Sequence, residues 1–585
     1  MLRYIRPSLA IGLIATATAL FWTPASADTL SRAAPEPASV GVARAPVEAD
    51  RQMVVAAHPL ASLAGLRALR NGGSAADAAI AAMMVLGLVE PQSAGLGGGA
   101  FLLHWDEEAR ALTSWDGRET APAAATPERF LNAEGKPDPW PQMVPGGLSV
   151  GVPGLVAMLH DVHAEHGKLP WARLFDDAIG LANGGFGVSP RLAMLVAGMG
   201  EDAFSPQAQD YFLDPDGAAP LLGQVIENQA YADTLQRIAD GGPEAFYSGE
   251  IAEDIVGAVT NAWRNPGDMT TDDIGNYRAI ERPAVCGDYR GYKICGMGPP
   301  SSGGLAVAMT LRMLERFDLG KTPTPEALHL IGEAGNLAFA DRNRYVADPD
   351  FVTVPAGLMN PDYLAERSAL IDPAKAGGVR EPGNPPASAA PSPGRDGTKE
   401  APGTTQVSVI DADGNAVSMT ASIESAFGSR LFVRGFLLNN ELTDFSFAPA
   451  DAEGRPIANR VEAGKRPRSS MAPTMVFDEN GKLAMILGSP GGSRIIGYVV
   501  KAIIAMVDWG YDPQAAAALF NFASRNGPFE VEDVTGADRW VAAMEAFGGP
   551  AKTADMTSGL NIIAVGGGKL AGASDPRREG AAMGD

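Results

Sequence analysis

Apolar residues fall into two regimes along this chain. Through most of residues 59–345 they recur at helical spacing, whereas beyond residue 404 they alternate as strand residues do. A first helix is expected to begin at Pro59, a residue suited to the first turn, and to stop at Asn71-Gly72-Gly73. Ser74-Ala75-Ala76-Asp77 has the form of a capping box and opens a buried, alanine-rich helix over 74–89. A glycine loop over 94–100 leads into a strand over 101–105, and Ser301-Ser302-Gly303-Gly304 opens a later helix. In the last third, 406–411 and 415–422 alternate around Asp411-Ala412-Asp413-Gly414, a hairpin signal. The pattern returns over 472–477 and 482–487 around Asp478-Glu479-Asn480-Gly481, and a helix follows over 493–509. No internal repeat is visible.

Between the two regimes lies a shift in composition. Residues 372–403 are rich in Pro, Gly, Ala and Ser, carry few large apolar side chains, and are expected to be flexible. Residues 28–50 are expected to form a loose leader, and the charged tail after Gly572 a disordered end. The extreme N-terminus reads as a signal peptide: Met1 to Arg6 is basic, Leu9 to Trp22 apolar, and Ala25-Ser26-Ala27 an A-x-A cleavage site. The mature chain is then expected to start near Asp28, in the periplasm or outside the cell. The apolar run is short for a membrane span, and an uncleaved anchor is the alternative.

The 585 residues exceed one ordinary core, and 46% hydrophobic with 20% charged residues is a globular balance. The formal charge of -23 argues against a nucleic-acid or anionic-membrane surface. Export suits the cysteine usage. The only two, Cys286 and Cys295, flank a stretch that could turn at Arg290-Gly291, which would set them face to face as a disulfide; two separate buried thiols are the alternative. His160, His163 and His166 drift around a helix without a fixed carboxylate partner, so no metal site is read there.

Candidate chemistry concentrates after residue 403. Thr404 follows Gly403 at the junction of the flexible stretch and a strand. If the chain cuts itself there, Thr404 gains a free α-amine and carries its own general base beside its hydroxyl nucleophile. Gly488 to Arg494 joins a strand to a helix and contains Gly491-Gly492. It lacks the Lys-Ser/Thr of a phosphate loop, but successive glycine N–H groups suit an oxyanion hole, and a plain tight turn is the bland reading. Lys465 to Ser470 is basic and hydroxyl-rich. Glu424, Glu441 and Asp444 are acids among apolar stretches, where a substrate ammonium or a structural donor would satisfy them.

Together these stretches resemble the γ-glutamyltransferase (glutathione hydrolase) proenzymes of the N-terminal-nucleophile hydrolase superfamily. The resemblance runs from about Met53 to Gly580. It is carried by residues 56–62, 90–101, Gly117-Arg118-Glu119-Thr120-Ala121-Pro122, 299–304, Gly403-Thr404-Thr405, 413–418, 437–441, 465–471 and 488–494. It implies an α+β fold, a four-layer αββα sandwich, with a large subunit (28–403) and a small catalytic subunit (404–585) made from one precursor. It implies autocleavage between Gly403 and Thr404, with Thr404 then the catalytic nucleophile. Ser422 would orient that nucleophile, and Gly491 and Gly492 would supply the oxyanion hole. Arg118, Ser469 and Ser470 would bind the substrate α-carboxylate, and Glu441 and Asp444, with Glu424 beside them, its ammonium. The implied substrates are glutathione or other γ-glutamyl compounds, with water, amino acids or peptides as acceptors and no cofactor.

Two departures matter. Glu424 stands where many members carry asparagine, and Glu441 where some carry glutamine; the more acidic pocket opposes acyl groups without an amine, such as the glutaryl group of the related cephalosporin acylases. The stretch from Asp444 to Ser469 contains no tyrosine, whereas many members place a tyrosine-bearing lid there. An open site is expected to favour hydrolysis over transpeptidation. A non-catalytic binding protein, in which Thr404 never matures, is the remaining alternative.

Overall fold

The computed structural model describes residues 44–388, 392–398 and 403–585. The signal peptide and its cleavage site lie outside these residues. Among the described residues no helix is long and apolar enough to cross a membrane.

The alternation after residue 404 builds the centre of the molecule. Strand Thr404–Ile410 pairs antiparallel with Ala416–Ser422, which pairs with Gly99–Asp106, then Ala111–Gly117. Met53–Ala56 lies on the other side of Thr404–Ile410, and the edge strands Ala581–Gly584 and Ile280–Arg282 complete a seven-stranded sheet. A second seven-stranded sheet runs in the order Val47–Ala49, Lys569–Ser574, Asn561–Gly566, Leu483–Gly488, Thr474–Phe477, Tyr292–Gly296, Val285–Tyr289. Met53, Val55, Leu103, Trp105, Met475, Ile486 and Ile563 form the apolar core between the sheets. Helices Pro59–Arg70 and Ala75–Val89 cover the first sheet, and Gly303–Leu314 and Ile495–Val507 the second. The fold is the expected αββα sandwich.

The period-2 pattern has an unusual sense here. On Thr404–Ile410 the apolar positions Val407 and Val409 face the helix layer. The polar positions face the other sheet and not solvent: Ser408 Oγ donates to Asn561 O at 3.0 Å, and Ser418 Oγ to Leu487 O at 3.1 Å. Thr404 and Ser422 share that inward face, because side chains two apart lie on one side of a strand.

Both chain ends correct the expectations. Val47–Ala49 is a strand paired with residues 570–572, so the leader is ordered there. The tail after Gly572 is ordered too. Arg577, Arg578 and Glu579 are buried, Arg577 pairs with Glu532 and Asp575, and Asp585 is bonded to Gln52 and Arg70. Its charges are neutralised by remote partners, so they do not require solvent. In the Pro/Gly-rich stretch, residues 372–388 are also held: Gly383 N donates to Asp341, Arg380 pairs with Glu333, and Ala376 N donates to Phe547 O. The cysteines are bonded, Cys286 opposite Cys295 on paired strands, with Arg290 and Gly291 at φ +52° and +83° in the turn.

His58 caps the helix Pro59–Arg70, its Nδ1 accepting from Leu60 N at 3.2 Å. Burial lowers its pKa from 6.5 to about 4. The unfolded chain therefore takes up a proton that the folded chain refuses, and stability falls as pH drops from 6.5 through about 4. His58→Asn keeps a capping acceptor without the titration. Across that window the variant should lose about 3 kcal/mol less than the parent, read as a flatter thermal midpoint against pH.

Candidate active site

Thr404 opens its strand directly opposite Ser422. Its Oγ1 lies 3.4 Å from Ser422 Oγ. Ser422 Oγ donates to the Gly403 carbonyl at 3.0 Å and accepts from Glu424 N at 2.8 Å. A hydroxyl, a second hydroxyl and the preceding carbonyl thus form one hydrogen-bonded run across the Gly403–Thr404 bond. Only glycine fits before Thr404, since a Cβ on Gly403 would stand 2.1 Å from Glu424 O. Glu424 itself turns the chain at φ +75°, and its carboxylate is held by Asn440 Nδ2 at 2.8 Å and by Ser425 Oγ.

The glycine loop over 94–100 has a positional role that the sequence left open. It lets two backbones close on the site: a Cβ on Gly98 would meet Ser422 O at 2.1 Å, and one on Gly97 would meet Leu437 O at 2.2 Å. This fixes the end of strand Ala416–Ser422 and the run that carries Glu441 and Asp444. Across the cleft, Gly491 at φ +140° and Gly492 at φ +58° enter a short turn, Gly492–Arg494, ahead of helix Ile495–Val507. Gly492 lines one narrow cavity with Thr404, Ser422, Glu424, Glu441, Asp444, Ser469 and Ser470.

Arg118 sits behind this cavity, fully buried. The expectation made it a carboxylate binder, apart from the ammonium-binding acids; the structure joins them. Arg118 donates to Glu441, to Asp444 Oδ2 at 2.6 Å, and to the carbonyls of Pro467 at 3.1 Å and Arg468 at 3.0 Å. Burial alone would lower its pKa, but Glu441 and Asp444 outweigh that and raise it. Glu119 lies 3.8 Å from the same guanidinium. Burial, with Glu441 nearby, pushes the Glu119 carboxyl well above its ordinary range.

Ser469 and Ser470 are placed by contacts with the large half. Ser469 N donates to Pro300 O at 3.1 Å and Ser469 O accepts from Ser302 N at 2.7 Å, while Arg342 donates to Ser470 Oγ at 2.6 Å. Arg342, from helix Pro325–Tyr345, escaped the sequence reading, as did Asn440 and Arg578. Arg578 donates to Thr404 O at 3.3 Å. Burial lowers the pKa of Arg578, and burial together with Glu579 raises that of nearby Glu90 to about 8. No spacing rule could have linked these residues to Thr404; they arrive through tertiary packing.

The three histidines serve packing. His163 bonds Leu169 O at 2.8 Å, His166 stacks on His104, and His160 lies edge-on to Trp171. Among the described residues no group of His, Cys, Asp or Glu is arranged to hold a metal ion.

The chain has relatives among known proteins. The gamma-glutamyltranspeptidase family model matches residues 61–585. The glutathione hydrolase proenzyme of Bacillus subtilis (strain 168) is 37% identical over 474 residues, 79% of each chain. That of Escherichia coli (strain K12) is 35% identical over 544 residues, 91% of each. In three dimensions the chain resembles a cephalosporin acylase from Bacillus halodurans, with TM-score 0.81 and 29% identity over 93% of this chain and 97% of that one. On the family match, the relatives and the shared fold, this chain belongs to the gamma-glutamyltranspeptidase family.

Proposed function

We propose that this chain is a self-processing γ-glutamyl hydrolase/transferase, exported on a signal peptide that is removed behind Ala27. One observation carries the reading: Thr404 Oγ1, Ser422 Oγ and the Gly403 carbonyl lie in a single hydrogen-bonded run. In maturation the Thr404 hydroxyl attacks the Gly403 carbonyl carbon. The C–N bond breaks, the nitrogen takes up the proton that the hydroxyl gives up and becomes the new α-amine, and an ester joins Gly403 to Thr404. Water then cleaves the ester, leaving a Gly403 carboxylate and restoring the hydroxyl. The two fragments stay together as a large and a small subunit.

In turnover the α-amine takes the proton from Thr404 Oγ1 as that oxygen attacks the γ-glutamyl amide. Gly491 and Gly492 face the developing oxyanion. The leaving amine departs with a proton, and water or an acceptor amine resolves the ester. Substrate entry is an exchange of ion pairs. The α-ammonium takes over Glu441 and Asp444, with Glu424 beside them, while the α-carboxylate takes over Arg118 and the hydroxyls of Ser469 and Ser470. A zwitterion makes both swaps at once, so no buried charge is stranded.

The acylase-like fold favours a second reading, hydrolysis of a glutaryl side chain on a β-lactam. A glutaryl group carries no ammonium to answer the three acids. Steady-state rates on glutathione and on a glutaryl β-lactam separate the two: kcat/KM should favour glutathione by about 100-fold or more, the worth of a charge-assisted contact of about 3 kcal/mol. With glycylglycine added at modest concentration, free glutamate should remain the main product. A preference for the glutaryl donor would move the acylase reading to the front, and dominant dipeptide product would refute the expectation that a chain without the lid tyrosine favours hydrolysis.

A further inference from the structure

The last described stretch before the cleavage point, residues 392–398, reads Ser-Pro-Gly-Arg-Asp-Gly-Thr. It has almost no apolar side chains to bury, so hydrophobic packing cannot set its register. A single buried charge does so instead. Asp396 is 3% exposed and meets Arg468, 1% exposed on its side chain, at 2.8 Å. The same carboxylate accepts from Asn459 Nδ2 at 3.2 Å and from Thr398 N at 2.9 Å, and Asp396 N donates to Asn343 O at 3.0 Å. Two residues earlier, Gly394 N donates to Pro456 O at 2.9 Å.

Asn459 and Arg468 belong to the half of the chain that follows the cleavage point, and both also contact residues of the ion cluster beside the cavity. Asn459 Nδ2 donates to Asp444 O at 2.8 Å, Asn459 Oδ1 accepts from Arg468 N at 2.9 Å, and Arg468 O accepts from Arg118 at 3.0 Å. One run of polar contacts therefore leads from Asp396 to the ion cluster. Downstream, the strand ladder fixes Thr404; upstream, Asp396 is the buried anchor seven residues before Gly403. An intramolecular attack depends on how often the carbonyl lies in reach and in line. A strand held on one side only samples that geometry less.

We propose that Asp396 and Arg468 form a register latch for self-cleavage, holding residues 394–398, upstream of the Gly403–Thr404 bond, against the small-subunit half; this rests on the reading of Thr404 as the self-processing nucleophile. Both are positioning residues, acting through the backbone that they hold. A buried ion pair adds little net stability but strongly disfavours alternative registers, since a shifted segment would strand both charges.

The test follows cleavage over time on denaturing gels for the full chain, Asp396→Asn, Arg468→Met and the double variant, with thermal midpoints measured alongside. Each single change should slow the appearance of the small fragment at least tenfold and move the midpoint by no more than a few degrees. The double variant should be no slower than the slower single, as for two ends of one contact. Asp396→Asn protein that has been cut by long incubation should hydrolyse glutathione with the parent kcat/KM per cut site. Cleavage of Asp396→Asn at the parent rate would overturn the latch. So would losses that multiply in the double variant, or a midpoint that falls in step with the rate, as a merely structural pair would give. An uncut parent chain would instead overturn the self-processing reading from which the latch derives.

Discussion

Thr404→Ala should leave a single uncut chain and lower glutathione hydrolysis by about 10^4-fold or more, the scale of loss when a covalent nucleophile is removed. The substitution deletes the hydroxyl that both steps use. It should not disturb the fold, because the strand ladder opposite Ser422 is made by backbone groups. Thr404→Ser keeps hydroxyl and backbone and should still be cut. A gel beside an activity assay reads both effects. If Thr404→Ala were cut and active, another nucleophile would have to serve, and among the described residues neither cysteine is a free thiol.

The second large effect is expected at Asp444. Arg118 bridges Asp444 and Glu441 in a buried cluster. Asp444→Asn keeps the shape and removes one of the charges that an incoming ammonium would meet. A buried charge-assisted contact is worth about 3 to 4 kcal/mol when one partner loses its charge, so kcat/KM for glutathione should fall by about 10^2 to 10^3, mainly through KM. The same change should narrow the preference for γ-glutamyl over glutaryl donors, because the glutaryl group never used that charge. A fall in kcat at unchanged KM would place Asp444 in the chemical step and not in ammonium binding.

Much of this site was legible in the chain, for local reasons. The capping box at Ser74 forms as its residues dictate, with Asp77 N donating to Ser74 Oγ at 3.2 Å. The hairpin after Thr404 and the turn at Arg290-Gly291 follow from turn chemistry and alternation. Thr404, Ser422, Glu424, Glu441, Asp444, Ser469, Ser470 and Gly492 do meet in one cavity. What stayed hidden depends on distant partners. Arg342 reads as an ordinary cation in the last turn of a helix, until the fold brings Ser470 to it. The charged run 575–579 reads as a solvated tail, because nothing local announces Glu532 or Thr404 as neighbours. Thr404 lies on the same strand face as Ser408, and only the second sheet makes that face an interior.

The most direct test of the central claim is N-terminal sequencing of the smallest band that the purified protein gives on a denaturing gel. Self-processing predicts a fragment of roughly 19 kDa beginning Thr404-Thr405-Gln406, beside one of roughly 39 kDa, from 60.7 kDa over 585 residues. A single intact band, or a small fragment beginning anywhere else, would contradict it.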